Sequence, residues 1–535
     1  MKLSYDGVFE HRQEWEKAGF VLPAFSMEQV RKETAEHPVW VHFGAGNIFR
    51  AFQANVVQEL LNAGKMKTGL IAVEGYDYEI IDKMYQPHDN LGILATLKAD
   101  GNVDKTVVGS IMEALTLDSD NTQNMTRLSQ IFTNPSLQMA SFTITEKGYS
   151  LVDGKGSILP AAAQDMEQGT ERPVSYIGKV AALLYARYQA GALPIAMVSM
   201  DNCSHNGDKL YQAIHAFAQG WERGLVEKGF QAYVEDAHKV SFPWSMIDKI
   251  TPRPDASVED MLRMAGVEDL EPVITGKNTY VAPFVNAEEC QYLVIEDNFP
   301  NGRPALEEGG VIFTTRETVD RVEKMKVCTC LNPLHTALAV FGCLLGYTLI
   351  SKEMDNPVLK KLVEVIGYEE GLPVVVNPGV IAPKKFIDEV VNIRIPNPFM
   401  PDTPQRIATD TSQKLGIRFG ETIKAYQRSG ELSVSSLKRI PLVFAGWLRY
   451  LCGIDDKGEA FTLSADPMLD TVCPYVADLK FGDTQVHEKV APILSNEKIF
   501  GVNLYEAGLG ELTEQYFVEM LAGKGAVEAT LAKYV

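Results

Sequence analysis

The feature that most narrows the fold is a short run near the amino end. Val39-Trp-Val-His-Phe43 leads directly into Gly44-Ala-Gly-Asn-Ile-Phe-Arg50, and apolar residues at helical spacing follow to Leu61. The first run reads as a buried strand. Strand, glycine turn and helix in immediate succession are what a dinucleotide phosphate site requires. The glycines let the backbone approach the pyrophosphate, and the helix start supplies amides and a positive dipole. The residues singled out for that site are Gly44, Gly46, Asn47, Ile48, Phe49 and Arg50, with Phe49 standing where the usual fingerprint has its third glycine. A second apolar strand, Gly69-Leu-Ile-Ala-Val73, ends at Glu74. An acid there can accept hydrogen bonds from the adenosine ribose and would repel a 2′-phosphate, which favours NAD over NADP, although Asp77 could take the same part.

Further strands are expected at Ala140-Ser-Phe-Thr-Ile-Thr145, Pro194-Ile-Ala-Met-Val-Ser199, Tyr292 to Ile295 and Gly310 to Thr315, with helices near 122–132 and 176–190. Residues 92–109 alternate apolar and polar around Asp100-Gly101, a hairpin pattern. Phe242 to Pro252 reads as irregular, bounded by prolines, with Asp248 as its single acid. In a wound sheet ligands sit beyond the carboxyl ends of the strands, so the polar exits at 44–50, 145–149 and 201–207 are expected to converge. From Val319 onward helical spacing dominates. The expected architecture is α/β: a Rossmann-like dinucleotide-binding domain over 1–315, then a mostly helical substrate and catalytic domain over 316–535.

A chain of 535 residues exceeds what one hydrophobic core supports, which agrees with two domains. The 50 basic and 70 acidic residues leave a net charge of −20, so nucleic acid and anionic membranes are poor partners, while a small anion can still meet a local cation cluster. Seven cysteines without a CxxC pair suit reduced thiols, and Cys328 and Cys330 read as packing residues rather than metal ligands. The charged start Met1-Lys-Leu-Ser-Tyr-Asp-Gly7 lacks the apolar core of a signal peptide, and a cytoplasmic location is expected.

The densest chemistry lies in Lys324-Met-Lys-Val-Cys-Thr-Cys-Leu-Asn-Pro-Leu-His335, at the mouth of the apolar segment Thr336 to Ile350. Lys326 could exchange a proton and Asn332 could donate to a carbonyl oxygen. His335, one turn beyond Asn332, points to the same side. Lys324 is a second candidate for the lysine. A mixed cluster follows: Arg394, Asp402, Arg406, Asp410, Ser412, Lys414 and Arg418. Arg406 and Lys414, eight apart, could reach one ligand, although such charges also form structural ion-pair networks.

Laid side by side, several stretches resemble the polyol-specific long-chain dehydrogenase (mannitol dehydrogenase) family, which includes mannitol 2-dehydrogenase, fructuronate reductase and tagaturonate reductase. They are Gly44 to Arg50; Thr143-Ile-Thr-Glu-Lys-Gly-Tyr149; Asp201-Asn202 with Asn206-Gly207; Phe242 to Pro252; Ile295 to Pro304; Asn332-Pro-Leu-His335; and Asn397-Pro398 through Arg406, Asp410, Ser412 and Lys414. The resemblance implies a lysine general acid/base at Lys326 and polarising amides at Asn202 and Asn332. It implies substrate contacts at His335, Asp248, Arg406 and Lys414, and a glutamate assisting proton passage at Glu146. It implies NAD as cofactor, no metal, and a small sugar acid or polyol as substrate, with D-fructuronate and D-mannonate as the expected pair. Mannitol or arabinitol oxidation, tagaturonate reduction and a non-catalytic NAD-binding sensor are the alternatives. Five residues separate Lys326 from Asn332, one more than the family pattern, and a bulge at the helix start could absorb the extra one. Pro333, Ile247 and Lys249 also depart from the pattern.

Overall fold

The computed structural model describes residues 1–535. The chain divides into two compact units, one of residues 1–97 and 102–320, the other of residues 98–101 and 321–535.

The first unit is built on a six-stranded parallel sheet. Its strands are β1 (Trp40–Phe43), β2 (Leu70–Glu74), β3 (Ile111–Thr116), β4 (Met139–Phe142), β5 (Ile195–Ser199) and β6 (Val240–Ser241). They lie in the spatial order β3-β2-β1-β4-β5-β6, every neighbouring pair parallel. That is the doubly wound order of dinucleotide-binding folds, with the reversal between β1 and β4 opening a crevice at their carboxyl ends. Strands β1, β2, β4 and β5 are buried at every position, which explains why their sequences read as apolar runs without alternation.

Helices α1 (Ala54–Asn62), α2 (Thr122–Thr133), α3 (Tyr176–Gln189) and α4 (Asn206–Trp221) belong to this unit. Asn121 caps α2, accepting from Asn124 N at 3.0 Å, and Ser175 caps α3, accepting from Gly178 N at 3.1 Å. Phe43 stacks on Phe142 with centroids 4.9 Å apart, and both join Leu128, Phe132, Phe217 and Trp221 in one core. Arg187 is fully buried yet satisfied: its guanidinium donates to the carbonyls of Phe132, Asn134, Leu137, Leu193 and Pro194. Two of those carbonyls end α2, where the helix dipole favours a cation.

The hairpin around Asp100-Gly101 forms as expected, Gly92–Leu97 pairing antiparallel with Val103–Val108 inside a four-stranded sheet. Two expectations change. The strand read to Thr145 stops at Phe142: Thr143 N still donates to Phe43 O of β1 at 2.9 Å, but the amides of Ile144 and Thr145 bond to the Asp201 side chain rather than to a neighbouring strand. The segment read as irregular contains a strand, Ser245–Asp248, antiparallel to Tyr292–Glu296. Its proline boundary hid a pairing made with residues far along the chain.

The second unit is helical. Helix α5 (Arg316–Met325), within which the division between units falls, passes through a π-turn, Lys326–Cys330, into α6 (Asn332–Leu345). Pro333 occupies the first turn of α6 and Gly346, at φ +77°, closes it. Arg316–Leu345 is long and apolar enough to cross a bilayer, but 78% of its most apolar window is buried inside the protein, as in a core helix. Leu334, Leu338, Phe341 and Leu344 are fully buried on α6, each worth roughly 1.5–3 kcal/mol. Helix α7 (Arg439–Leu451) packs on α6 where Gly446 meets Phe341, and α8 (Gly510–Met520) packs on α7. The Glu370 carboxylate caps α7, accepting from the amides of Lys438, Arg439 and Ile440 at 2.8, 2.7 and 2.9 Å.

Candidate active site

At the exit of β1, Gly44 has φ +109°, and a Cβ there would overlap Thr143 O and lie 2.8 Å from Thr143 C. Only glycine fits. A Cβ on Gly46 would meet nothing within 4 Å, so that side of the loop is open, as a backbone cradle for a pyrophosphate must be. Asn47 and Ile48 begin the helix, which widens into a π-turn at Phe49–Gln53 before α1. The aromatic ring in place of the third glycine has a physical reason. Phe49 is fully buried and stacks on His42 of β1 at 4.2 Å, so the helix is held off the strand by a ring pair rather than drawn onto it by a glycine. His42 is fixed by Ser141 Oγ at 2.6 Å and Thr143 Oγ1 at 2.8 Å, and burial lowers its pKa to about 3, so the stacked imidazole is neutral.

Glu74 is buried and already occupied. Oε2 accepts from Ala45 N at 3.0 Å, and Oε1 accepts from Tyr76 N at 2.8 Å and Asp77 N at 3.1 Å. It braces the glycine loop against the end of β2, which leaves about one of its four acceptor positions for a ribose hydroxyl. Asp77 accepts from Thr275 Oγ1 at 2.5 Å. The Arg50 guanidinium turns into the interior and donates to Ala282 O at 2.9 Å, so what Arg50 offers a ligand is its place in the first helical turns.

The exits of β1, β4 and β5 do converge. Thr143 Oγ1 donates to Gly44 O at 3.3 Å, tying the first to the second. Asp201 ties the second to the third, its carboxylate accepting from Ile144 N at 3.0 Å, Thr145 N at 2.9 Å and Tyr149 Oη at 2.5 Å. Thr145 is thereby held at φ +65°, ψ 158°, a conformation that costs a residue with a side chain about 1–3 kcal/mol. Burial raises the Asp201 pKa, and the bonds from Tyr149, Ile144 and Thr145 oppose that rise. Glu146 follows the strained residue and pairs with Lys209 of α4 at 2.9 Å, on an open cleft of about 520 Å³. Asn202 follows Asp201 and is exposed.

Asn206 is fully buried and bonds to Asp201 O and to Ser245 through three further contacts of 3.0 Å. It fixes the strand that carries Asp248, itself buried. A Cβ on Gly207 would come within 2.5 Å of Phe242 O, so close approach requires glycine there.

In the second unit Lys326 opens the π-turn, Leu331 N donating to Lys326 O at 3.1 Å. The five residues between Lys326 and Asn332 run through and just past this π-turn. Lys326 is buried, whereas Lys324 is exposed. Asn332 and His335 share one face in the first turn of α6. Thr336 Oγ1 donates to Asn332 O at 2.9 Å and accepts from Arg418 Nη1 at 2.6 Å. The cation cluster sorts itself. Arg406 is exposed and ion-paired with Asp402, while Lys414 donates to the carbonyls of Ile407 and Thr409 and has its pKa lowered by burial and then by Arg418. Arg394 is buried within a π-turn, Val390–Arg394.

The family model of the mannitol dehydrogenase Rossmann domain matches residues 39–308, and that of the mannitol dehydrogenase C-terminal domain matches residues 318–519. The chain belongs to the mannitol dehydrogenase family. Within that family it is 54% identical, over 539 aligned residues covering 100% of this chain and 99% of the relative, to a D-mannonate oxidoreductase of Thermotoga maritima. A structure of Pseudomonas fluorescens mannitol 2-dehydrogenase in ternary complex with NAD and D-mannitol is similar at TM-score 0.67 and 26% identity, over 100% of this chain and 99% of that one. A substrate-free D-sorbitol dehydrogenase shares the fold at TM-score 0.77 and 24% identity, over 96% and 97% of the two chains.

Sequence reading of this family member assigned no part to Asp201, Tyr149 or Thr336. Asp201 stood beside a candidate asparagine, but its partners lie 56 and 57 residues earlier, and nothing local signals such a brace.

Proposed function

We propose that this chain is an NAD-dependent oxidoreductase that interconverts D-fructuronate and D-mannonate. The observation that carries the reading is the 54% identity, spanning both chains end to end, with a protein named D-mannonate oxidoreductase. The NAD of the mannitol 2-dehydrogenase complex supports the choice of cofactor, together with an open Gly46 and a Glu74 carboxylate poised at the end of β2. Gly44, Gly46, Asn47, Ile48, Phe49, Arg50 and Glu74 form the cofactor cradle in this reading. The bound nicotinamide supplies or accepts the hydride at the substrate's carbinol carbon. Lys326 gives a proton to the carbonyl oxygen during reduction and takes it back during oxidation. Asn332 and Asn202 donate to that oxygen as charge develops on it, each worth roughly 3 kcal/mol in comparable sites. His335, Asp248, Arg406 and Lys414 hold substrate oxygens, and Glu146 passes the proton toward water. The reaction consumes one ketone, one NADH and one proton, and returns one alcohol and one NAD. A cytoplasmic location belongs to the same proposal.

The test is NADH oxidation with fructuronate, tagaturonate and fructose in parallel, with NADPH alongside. Turnover on fructuronate with NADH is the expected result. Preference for fructose would move the chain to the polyol side of the family, and NADH binding without turnover on any of them would favour a sensor.

A further inference from the structure

The side chain that stands out around α6 is Arg418. It lies in the π-turn Gly416–Gly420 and reaches across to α6, where Nη1 donates to Thr336 Oγ1 at 2.6 Å. That hydroxyl is already oriented, because its own proton goes to Asn332 O. Arg418, Thr336 and Asn332 therefore form one directed chain ending on a residue assigned to the reacting oxygen.

The guanidinium has no other protein acceptor and no carboxylate partner, in contrast to Arg406 with Asp402 and Arg187 with its five carbonyls. Burial lowers its pKa to about 10 with no acid nearby to oppose the shift, and it remains a cation at neutral pH. Lys414 adds a second positive charge close enough for its own pKa to be depressed by Arg418. Two acids act on Lys414: Asp410, which is exposed, and Asp466, which is spent on Ser412 N at 2.7 Å, Ser412 Oγ at 2.5 Å and Met468 N at 2.9 Å. With Nη1 on Thr336, the Nε and Nη2 edge is left as a fork of the spacing that binds a carboxylate in two parallel hydrogen bonds.

We propose that Arg418 is the specificity-determining residue that binds the substrate carboxylate. This rests on the hexuronate reading above. In such a substrate four carbon–carbon bonds separate the keto carbon from the carboxylate carbon, a span of about 5 Å from bonds of about 1.5 Å. Four residues of α6 take the chain from Asn332 to Thr336, a rise of about 6 Å. The tether thus sets a cation one substrate length from the amide that meets the reacting oxygen. A neutral polyol would leave that cation partly desolvated and unmatched, so the same residue would disfavour it.

The experiment compares wild type, Arg418→Met, Arg418→Lys and Thr336→Val on fructuronate and fructose at saturating NADH, with NADH binding and thermal unfolding as checks on folding. In R418M the ratio of kcat/KM for fructuronate to that for fructose should fall by about 10- to 100-fold, mostly through KM, as expected for a charge-assisted bidentate contact. R418K should recover part of it. T336V cuts the tether but keeps the cation, and should lower the ratio by less than R418M does, because the charge is present but no longer held in place. Equal losses on both substrates in R418M, or an unchanged ratio, would overturn the assignment of Arg418 while leaving the hexuronate reading intact. A wild type that reduces fructose but not fructuronate would sink both.

Discussion

Glu353 offers a test of the packing behind α6. It closes a short helix, Ile350–Glu353, with no exposed surface, and neither carboxyl oxygen has a hydrogen-bond partner. The group lies so close to α6 that a Cβ added to Gly342 would overlap Oε1. Burial pushes its pKa up to about 9. A folded-state pKa raised above the unfolded value means that the native state carries the extra proton between the two. Stability is then fully present below the unfolded pKa of about 4.3 and falls as pH rises toward the folded one. One proton corresponds to about 1.4 kcal/mol per pH unit, so between about pH 5.5 and 8 this single group should cost the second unit on the order of 3 kcal/mol. Glu353→Gln keeps the shape and removes the titration. Hydrogen exchange of peptides covering 332–345, corrected for intrinsic exchange rates, should show wild-type opening becoming easier over that range and the variant nearly flat. If the two curves run parallel, or if Gln is the less stable at pH 8, the carboxyl is ionised or partnered in the native state and the reasoning fails.

Lys326→Ala should lower kcat by about 10²- to 10⁴-fold with NADH binding retained, the loss expected for a general acid/base. An equal loss of NADH affinity would assign Lys326 to binding instead. Asp201→Asn should lose about 1–3 kcal/mol, because the amide cannot accept from Ile144 N, Thr145 N and Tyr149 Oη together, while removal of a buried charge returns part of the cost. Urea midpoints, and faster exchange at the amides of Ile144 and Thr145, would register it. Gly44→Ala adds strain of about 1–2 kcal/mol at φ +109° as well as the overlap with Thr143, and should raise the Kd for NADH more than it lowers the thermal midpoint.

What the sequence determined by itself was whatever rests on local period and on special residues. The apolar runs of β1, β2 and β5, the glycine loop, the hairpin at Asp100-Gly101 and the long apolar α6 were legible because burial on both faces, a required positive φ and helical spacing leave their mark on consecutive residues. The ordered motifs placed the chain in its family for the same reason. What only tertiary structure decided was where polar groups spend their hydrogen bonds. Glu74 looked like a ribose ligand and is largely committed to three backbone amides. β4 ends early because Asp201, a residue of the next strand's exit, captures the amides that would have extended it. Arg406 and Arg418 are equally charged on paper. One is paired four residues away, and the other reaches Thr336, 82 residues earlier, and keeps the rest of its donors. A buried charge or amide must find a partner wherever the folded chain brings one, and that partner's distance along the sequence is set by the packing rather than by the residues on either side.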